Sequence, residues 1–279
     1  MYDRLQQRHR AKPAENAMIS IAITGAAGRM GGRLIALAKQ TGDLSVTGAV
    51  ERSDHPQQSR DAGEVAGIGH LGVPITTDLR EKPQVLIDFT SPQATRNWLN
   101  TCRERGIAMV IGTTGLAPAD HQAIEEAARE IPVLQAPNMS LGVNVLLRLV
   151  AEVAKVLGED YDIEIVEGHH RFKKDAPSGT AMAIAEAILA STGKGREALV
   201  FDRHGDEVLR SRGEIGLHAL RIGDEVGRHT TYFAALGERL ELTHVATSRD
   251  TFAHGALRAA KWVAAKPPGR YSMRDVLGH

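Results

Sequence analysis

The sequence predicts an α/β protein in two parts: a parallel sheet covered by helices, then an α+β domain, with the last helix returning to the first part. Three observations predict this. Short apolar runs alternate with helix-like segments from Ile19 to Gln135, as in a parallel sheet buried on both faces. A glycine-dense turn joins the first run to the first helix. Beyond residue 160 the pattern becomes alternating strands broken at turn residues. At 279 residues the chain suits one large domain or two smaller ones. Its 42% hydrophobic and 24% charged content is that of a globular protein, which excludes collagen, coiled coil and disorder. Thirty-four basic residues balance 34 acidic ones, so no general affinity for nucleic acid or membrane surfaces is expected, and any recognition of anions must be local. The single cysteine, Cys102, excludes an internal disulfide and a Cys-rich metal site, and reads as a semi-buried thiol.

The elements follow in order. Residues 1–17 are polar and basic, lack the apolar stretch of a signal peptide, and read as a flexible extension, with Met18 as an alternative start. Ile19–Thr24 is a β-rich run, and a helical pattern then carries Leu34, Ile35, Leu37 and Ala38 up to Gly42. Further strands are expected at Leu44–Val50, Val85–Thr90, Ala108–Gly112 and Pro132–Gln135, with helices over 93–105 and 118–130 between them. Each strand ends in small or polar residues, and the ligand crevice of an open parallel sheet lies beyond those ends. Residues 141–157 form a long amphipathic segment too interrupted by Arg148, Glu152 and Lys155 to span a membrane. Tyr161–Ile165 alternates as a half-exposed strand, and a helix is expected from near Ser178 to about Ala190. Three β-like runs between Glu214 and Thr247, broken at Gly223-Asp224 and Gly237-Glu238, look like antiparallel hairpins. A final helix starts near Arg249. The predicted division is residues 1–140 plus 250–279 as a dinucleotide-binding domain and 141–249 as a substrate domain. A cytoplasmic location is expected.

Gly25, Gly28 and Gly31 fall between the first strand and the first helix, where the backbone must turn tightly and let a pyrophosphate approach helix N–H groups. Their G-x-x-G-x-x-G spacing is one residue off the commoner pattern, and a ligand-free glycine turn is the competing reading. The acidic Glu51, 20 residues after Gly31 at the end of the next strand, strengthens the dinucleotide reading. A carboxylate there can accept the ribose hydroxyls of NADH, and the adjacent Arg52 can pair with the 2′-phosphate of NADPH, so both cofactors are expected.

The segment from Glu167 to Ala181 is the most informative. His169, His170, Arg171, Lys173 and Lys174 are all basic or can become so, and Ser178-Gly179-Thr180 open a helix whose hydroxyls and free N–H groups can hold a carboxylate. This reads as a pocket for a small anionic substrate with proton donors built in. A solvated charged loop is the main competing reading. A nucleic-acid patch does not suit so short a basic run. No metal is expected, because adjacent strand residues point to opposite faces and no ligand set is complete.

His169-His170-Arg171-Phe172-Lys173-Lys174-Asp175-Ala176-Pro177-Ser178-Gly179-Thr180-Ala181 resembles the signature H-H-R-x-K-x-D-A-P-S-G-T-A of the 4-hydroxy-tetrahydrodipicolinate (dihydrodipicolinate) reductase family. Gly25-Ala26-Ala27-Gly28-Arg29-Met30-Gly31 is similar to the same family's G-x-x-G-x-M-G, and the stretches Val110–Gly115 and Ala136–Ser140 are similar to its two further cofactor loops. The resemblance runs from about Ile19 to Leu277. It implies a Rossmann-type first domain, an inserted α+β substrate and oligomerisation domain, and a homotetramer. It implies that Gly25, Ala26, Ala27, Gly28, Arg29 and Met30 hold the pyrophosphate. Glu51 and Arg52 would choose between NADH and NADPH, and Gly112, Thr113, Thr114, Ala136, Pro137, Asn138 and Met139 would line the nicotinamide side. His169 would be the proton donor, Lys173 a second donor or electrostatic partner, and His170, Gly179 and Thr180 would grip the carboxylates of a small dicarboxylate substrate.

The implied reaction is reduction of a cyclic unsaturated imine dicarboxylate in the diaminopimelate–lysine pathway. Hydride delivery to C4 pushes electrons toward the ring nitrogen, and the enamine must then be protonated at C3, which calls for a general acid and fixed positive charge. Another two-domain NAD(P)-dependent dehydrogenase, or a redox sensor that binds NAD(P) without turnover, are the alternative readings.

Overall fold

The computed structural model describes residues 18–278, so the extension expected over 1–17 lies outside the described residues. The chain opens with β1 (Ile19–Thr24), α1 (Arg29–Thr41), β2 (Leu44–Val50), α2 (Ala62–Val65), β3 (Ile75–Thr76), β4 (Val85–Asp88), α3 (Pro92–Arg105), β5 (Ala108–Ile111), α4 (Pro118–Ala127) and β6 (Pro132–Gln135). It continues through α5 (Leu141–Leu157), β7 (Asp162–His169), α6 (Gly179–Thr192), β8 (Leu199–Val200), β9 (Ile215–Arg221), β10 (Gly227–Ala235) and β11 (Glu238–Ala246). It ends in α7 (Asp250–Val263), β12 (Gly269–Tyr271) and α8 (Met273–Leu277).

Contacts divide the chain into two compact units: 18–111, Gly115–Val133 and Ala260–Arg270 in the first, and Gly112–Thr114, Leu134–Ala259 and 271–278 in the second. The second unit is thus wider than the expected 141–249. The first turns of α7 belong to it because Gly255 packs flat on Met139, where a Cβ would lie 1.7 Å from the Met139 carbonyl oxygen. The rest of α7 belongs to the first unit, where Lys261 pairs with Asp43 at 2.6 Å. β12, which periodicity did not reveal, adds a strand beside β6.

The first sheet runs β12-β6-β5-β4-β1-β2-β3, a doubly wound order whose direction of winding reverses at β1. β1 pairs in parallel with both β2 and β4. Its central strands β4 and β5 are buried on both faces, and on one of them Leu86, Met109, Ile111 and Val133 pack with Cys102, Ile124 and Ile131. Helix ends follow local chemistry. Ser91 caps α3 through the Ala94 N–H, with Pro92 at its first position, and Gly106 takes the left-handed conformation at its end. The stretch from Arg52 to Val85, featureless to periodicity, is organised by Asp61. Its carboxylate accepts the N–H groups of Gly63, Glu64, Leu71, Gly72 and Val73. Burial would raise its pKa, but these amide bonds outweigh that and hold it at about 2.

The second sheet runs β11-β10-β7-β9-β8. β10 and β11 form the expected hairpin around Gly237, whose φ is +97°. β9 and β10 do not form one. β7 lies between them, parallel to β9 and antiparallel to β10. The 222–226 connection therefore crosses the end of β7, where the Ile222 N–H donates to the His169 carbonyl and the Arg171 N–H to that of Gly223. Ile163, Ile165, Leu217 and Phe233 on one face pack against Leu146, Val150, Ile184 and Ile188 of α5 and α6.

Candidate active site

In the first unit, Gly25 ends β1 with φ +62° and Gly28 caps α1 without a side chain of its own. A Cβ on Gly31 would lie 2.2 Å from the Gly25 oxygen, so the helix starts against the turn and its first amides stay open to an anion. Ala26 is buried, while Ala27, Gly28, Arg29 and Met30 keep access to solvent. Glu51 reaches back to this turn, accepting the Ala27 N–H at 3.3 Å. Gly25, Glu51, Arg52, Thr90 and Trp98 line one cleft of about 510 Å³. Arg52 is exposed, pairs with Asp54 at 3.3 Å, and stands at the edge of this cleft. The floor beside β1 is set by the fully buried Asp88, whose carboxylate accepts the hydroxyls of Thr24, Thr90 and Thr95 at 2.6, 2.6 and 2.5 Å. A glycine cradle, open helix amides, a carboxylate and an arginine are the donor and acceptor set that a nicotinamide dinucleotide needs.

The second unit builds a different chemistry on one sheet face. Residues two apart on a strand share a face, so Glu167 and His169 project together from β7 toward the helix side. The register sets His229 of β10 opposite Glu167 and Arg221 of β9 opposite His169. The Glu167 carboxylate is wholly buried and accepts from His169 Nδ1 at 2.5 Å, from both Arg221 Nη atoms at 3.1 and 3.0 Å, and from the Ser178 N–H at 3.0 Å. Burial would raise its pKa, but the Arg221 and His169 bonds outweigh this and keep it below its ordinary value. His169 is also held below its ordinary value: burial and the charges of Lys173 and Arg221 outweigh the pull of Glu167. The His229 ring stands edge-on to that of His169 at 5.2 Å and its Nε2 meets Ser178 Oγ at 3.1 Å. Burial pushes its pKa down to about 4, so it is a neutral ring.

The other expected residues are placed around this core. Lys173 pairs with Asp175 at 2.9 Å. His170 has a buried Nδ1 with no hydrogen-bond partner among the described residues. Ser178 caps α6, and the exposed Gly179, with open space beside it, and the half-buried Thr180 begin its first turn. Asn138 donates to Thr180 Oγ1 at 3.0 Å, so a residue expected on the cofactor side is bonded to the helix start expected to bind carboxylates. Gly112, Thr113 and Thr114, like Ala136, Pro137 and Met139, belong to this unit. Among the described residues no helix is long and apolar enough to cross a membrane.

Comparison with known proteins adds to this geometry. Family models for the N-terminus and the C-terminus of dihydrodipicolinate reductase match residues 19–139 and 142–277. The 4-hydroxy-tetrahydrodipicolinate reductase of Citrifermentans bemidjiense is 49% identical over 265 residues, covering 94% of this chain and 99% of its own. The enzyme of that name from Anaeromyxobacter sp. (strain Fw109-5) is 51% identical, covering 94% and 98%. The chain belongs to the dihydrodipicolinate reductase family. A dipicolinate-bound dihydrodipicolinate reductase from Paenisporosarcina sp. TG-14 shares the family fold, with a TM-score of 0.74 at 23% identity over 91% of this chain and 97% of that one.

Family motifs drew attention to the basic segment and away from its supports. Glu167 opens the basic segment without a role of its own in the motif, although its place two residues before His169 on an alternating strand is readable in the sequence. Arg221 and His229 carry no local signal, because strand pairing alone brings them to the site.

Proposed function

We propose that this family member reduces 4-hydroxy-tetrahydrodipicolinate, by way of dihydrodipicolinate, to tetrahydrodipicolinate, using NADPH or NADH, in diaminopimelate and lysine biosynthesis. The observation that carries the reading is the half-buried His169 held by the buried Glu167 beside the N-terminus of α6, an acid and an anion site on one scaffold. The nicotinamide supplies the hydride, and the glycine turn of residues 25–30 with Glu51 and Arg52 holds the dinucleotide. His170 and the Gly179–Thr180 helix start bind the carboxylates of the substrate. Lys173 exchanges part of its pairing with Asp175 for the incoming dicarboxylate. That anion raises the proton affinity of His169 when it arrives, and the imidazolium then protonates C3. Water leaves from C4 of the hydroxylated substrate before reduction.

A coupled assay tests this: the upstream synthase supplies substrate and nicotinamide absorbance is followed. Substrate-dependent oxidation is expected with both cofactors, and cofactor binding without turnover would instead mark a redox sensor. The enzyme is read as a cytoplasmic homotetramer. β11 is an edge strand, and Leu220 and Val245 stand exposed on the face of the second sheet away from α5 and α6, a surface suited to a second copy. Light scattering should give about four times the 30.1 kDa chain mass; a monomer would remove that reading.

A further inference from the structure

We propose that Glu167 is the positioning residue of the proton donor: it fixes a proton on His169 Nδ1, leaves Nε2 to serve the substrate, and is itself locked by Arg221 to the loop that carries Lys173. The inference rests on the reading of His169 as the donor. A charged carboxylate only accepts, so the 2.5 Å contact makes Nδ1 the donor to Glu167 and leaves Nε2 as the atom able to deliver a proton. Gly227 lies against Nε2, where a Cβ would come within 3.2 Å, so the glycine leaves that atom room. Arg221 completes the device. It donates two bonds to Glu167 and a third, at 2.5 Å, to the Asp175 carbonyl, tying the buried carboxylate to the loop of Lys173.

The charges facing His169 pull in opposite directions. Glu167 favours the imidazolium, Arg221 and Lys173 oppose it, and the neutral His229 adds no charge. Without the carboxylate, only the opposing charges remain and the imidazolium is lost at lower pH. A purely structural Glu167, tying β7 to α6 through the Ser178 N–H, would affect folding but not the pH at which the acid deprotonates.

The test compares wild type, Glu167→Gln and Glu167→Asp by the pH dependence of kcat/KM, with NADPH affinity measured by fluorescence. In Glu167→Gln the limb that falls as the acid deprotonates should move down by about 1–3 pH units, the usual effect of losing a close opposite charge. Near neutral pH, kcat should fall at least tenfold while NADPH affinity holds. Glu167→Asp, which restores the charge at shorter reach, should recover part of the shift. An independent measurement needs no variant fold: histidine ¹⁵N NMR of the wild type, with the His169 signal identified by its loss in His169→Gln. The neutral ring should carry its proton on Nδ1. A folded Glu167→Gln enzyme with an unmoved limb, or a neutral His169 protonated on Nε2, overturns the proposal. If wild type itself shows no substrate-dependent oxidation, the reductase reading fails instead, a separate outcome.

Discussion

Two neighbouring glycines of α1 should respond oppositely to a single methyl group. A Cβ at residue 31 would stand 2.2 Å from the Gly25 oxygen, 2.7 Å from Ala26 Cα and 2.8 Å from the Ala26 oxygen, all backbone atoms that cannot rotate aside. Restoring ordinary contact needs roughly 1 Å of movement between the turn and the helix start, an overpacking cost of about 1–3 kcal/mol. For units of this size Gly31→Ala should lower Tm by roughly 2–12 °C. The displaced atoms belong to the turn proposed to hold the pyrophosphate, so NADPH affinity by fluorescence titration should fall about 10- to 100-fold, as expected for a binding group misplaced by that distance. At residue 32 the nearest atom to an added Cβ is Ala66 Cα at 3.9 Å, an ordinary contact. Gly32→Ala should therefore stabilise α1 by about 0.5–1 kcal/mol, raise Tm slightly, and leave NADPH binding unchanged. A Gly31→Ala protein with wild-type Tm and NADPH affinity would refute the close-packed cradle.

Three further outcomes are expected. His169→Gln should cost roughly 10²–10⁴-fold in kcat with little change in NADPH affinity, whereas His170→Gln should raise KM at least as much as it lowers kcat; the reverse pattern would exchange their roles. Arg52→Ala should weaken NADPH selectively and spare NADH, since it removes the proposed partner of the 2′-phosphate and leaves Glu51 bonded to Ala27; equal loss of both would shift attention to Arg29. His229 binds its proton at about pH 4 when folded and near 6.5 when unfolded. The unfolded chain thus takes up more protons in that window, and stability present above pH 6.5 should fall by up to roughly 3 kcal/mol as pH drops to 4. Urea unfolding from pH 4 to 7 should show this slope in wild type, and an equal slope in His229→Gln would assign it elsewhere.

The chain's local chemistry determined the alternation of apolar strands and helices, the glycine turn with Glu51 behind it, and the basic segment running into a serine-capped helix. These features depend on residues within a turn or two of one another, where spacing alone decides which face a side chain occupies. The helix over 141–157 was legible for that reason, and the pairing of Glu167 with His169, two residues apart on one strand, lies within the same local range although the sequence alone assigned Glu167 no role. The order of strands was not legible. β9 and β10 are joined by a short glycine-containing link and look like a hairpin, yet the free energy of pairing both with β7 separates them. That insertion sets Arg221 and His229 on either side of the Glu167–His169 pair, from positions more than 50 residues away in the chain. Likewise the loop around Asp61 has no periodicity to read, because one carboxylate rather than a repeating pattern gathers its amides. Hydrophobic period encodes which face is buried, but strand neighbours, and with them the electrostatics around His169, are set by long-range register that only the folded chain expresses.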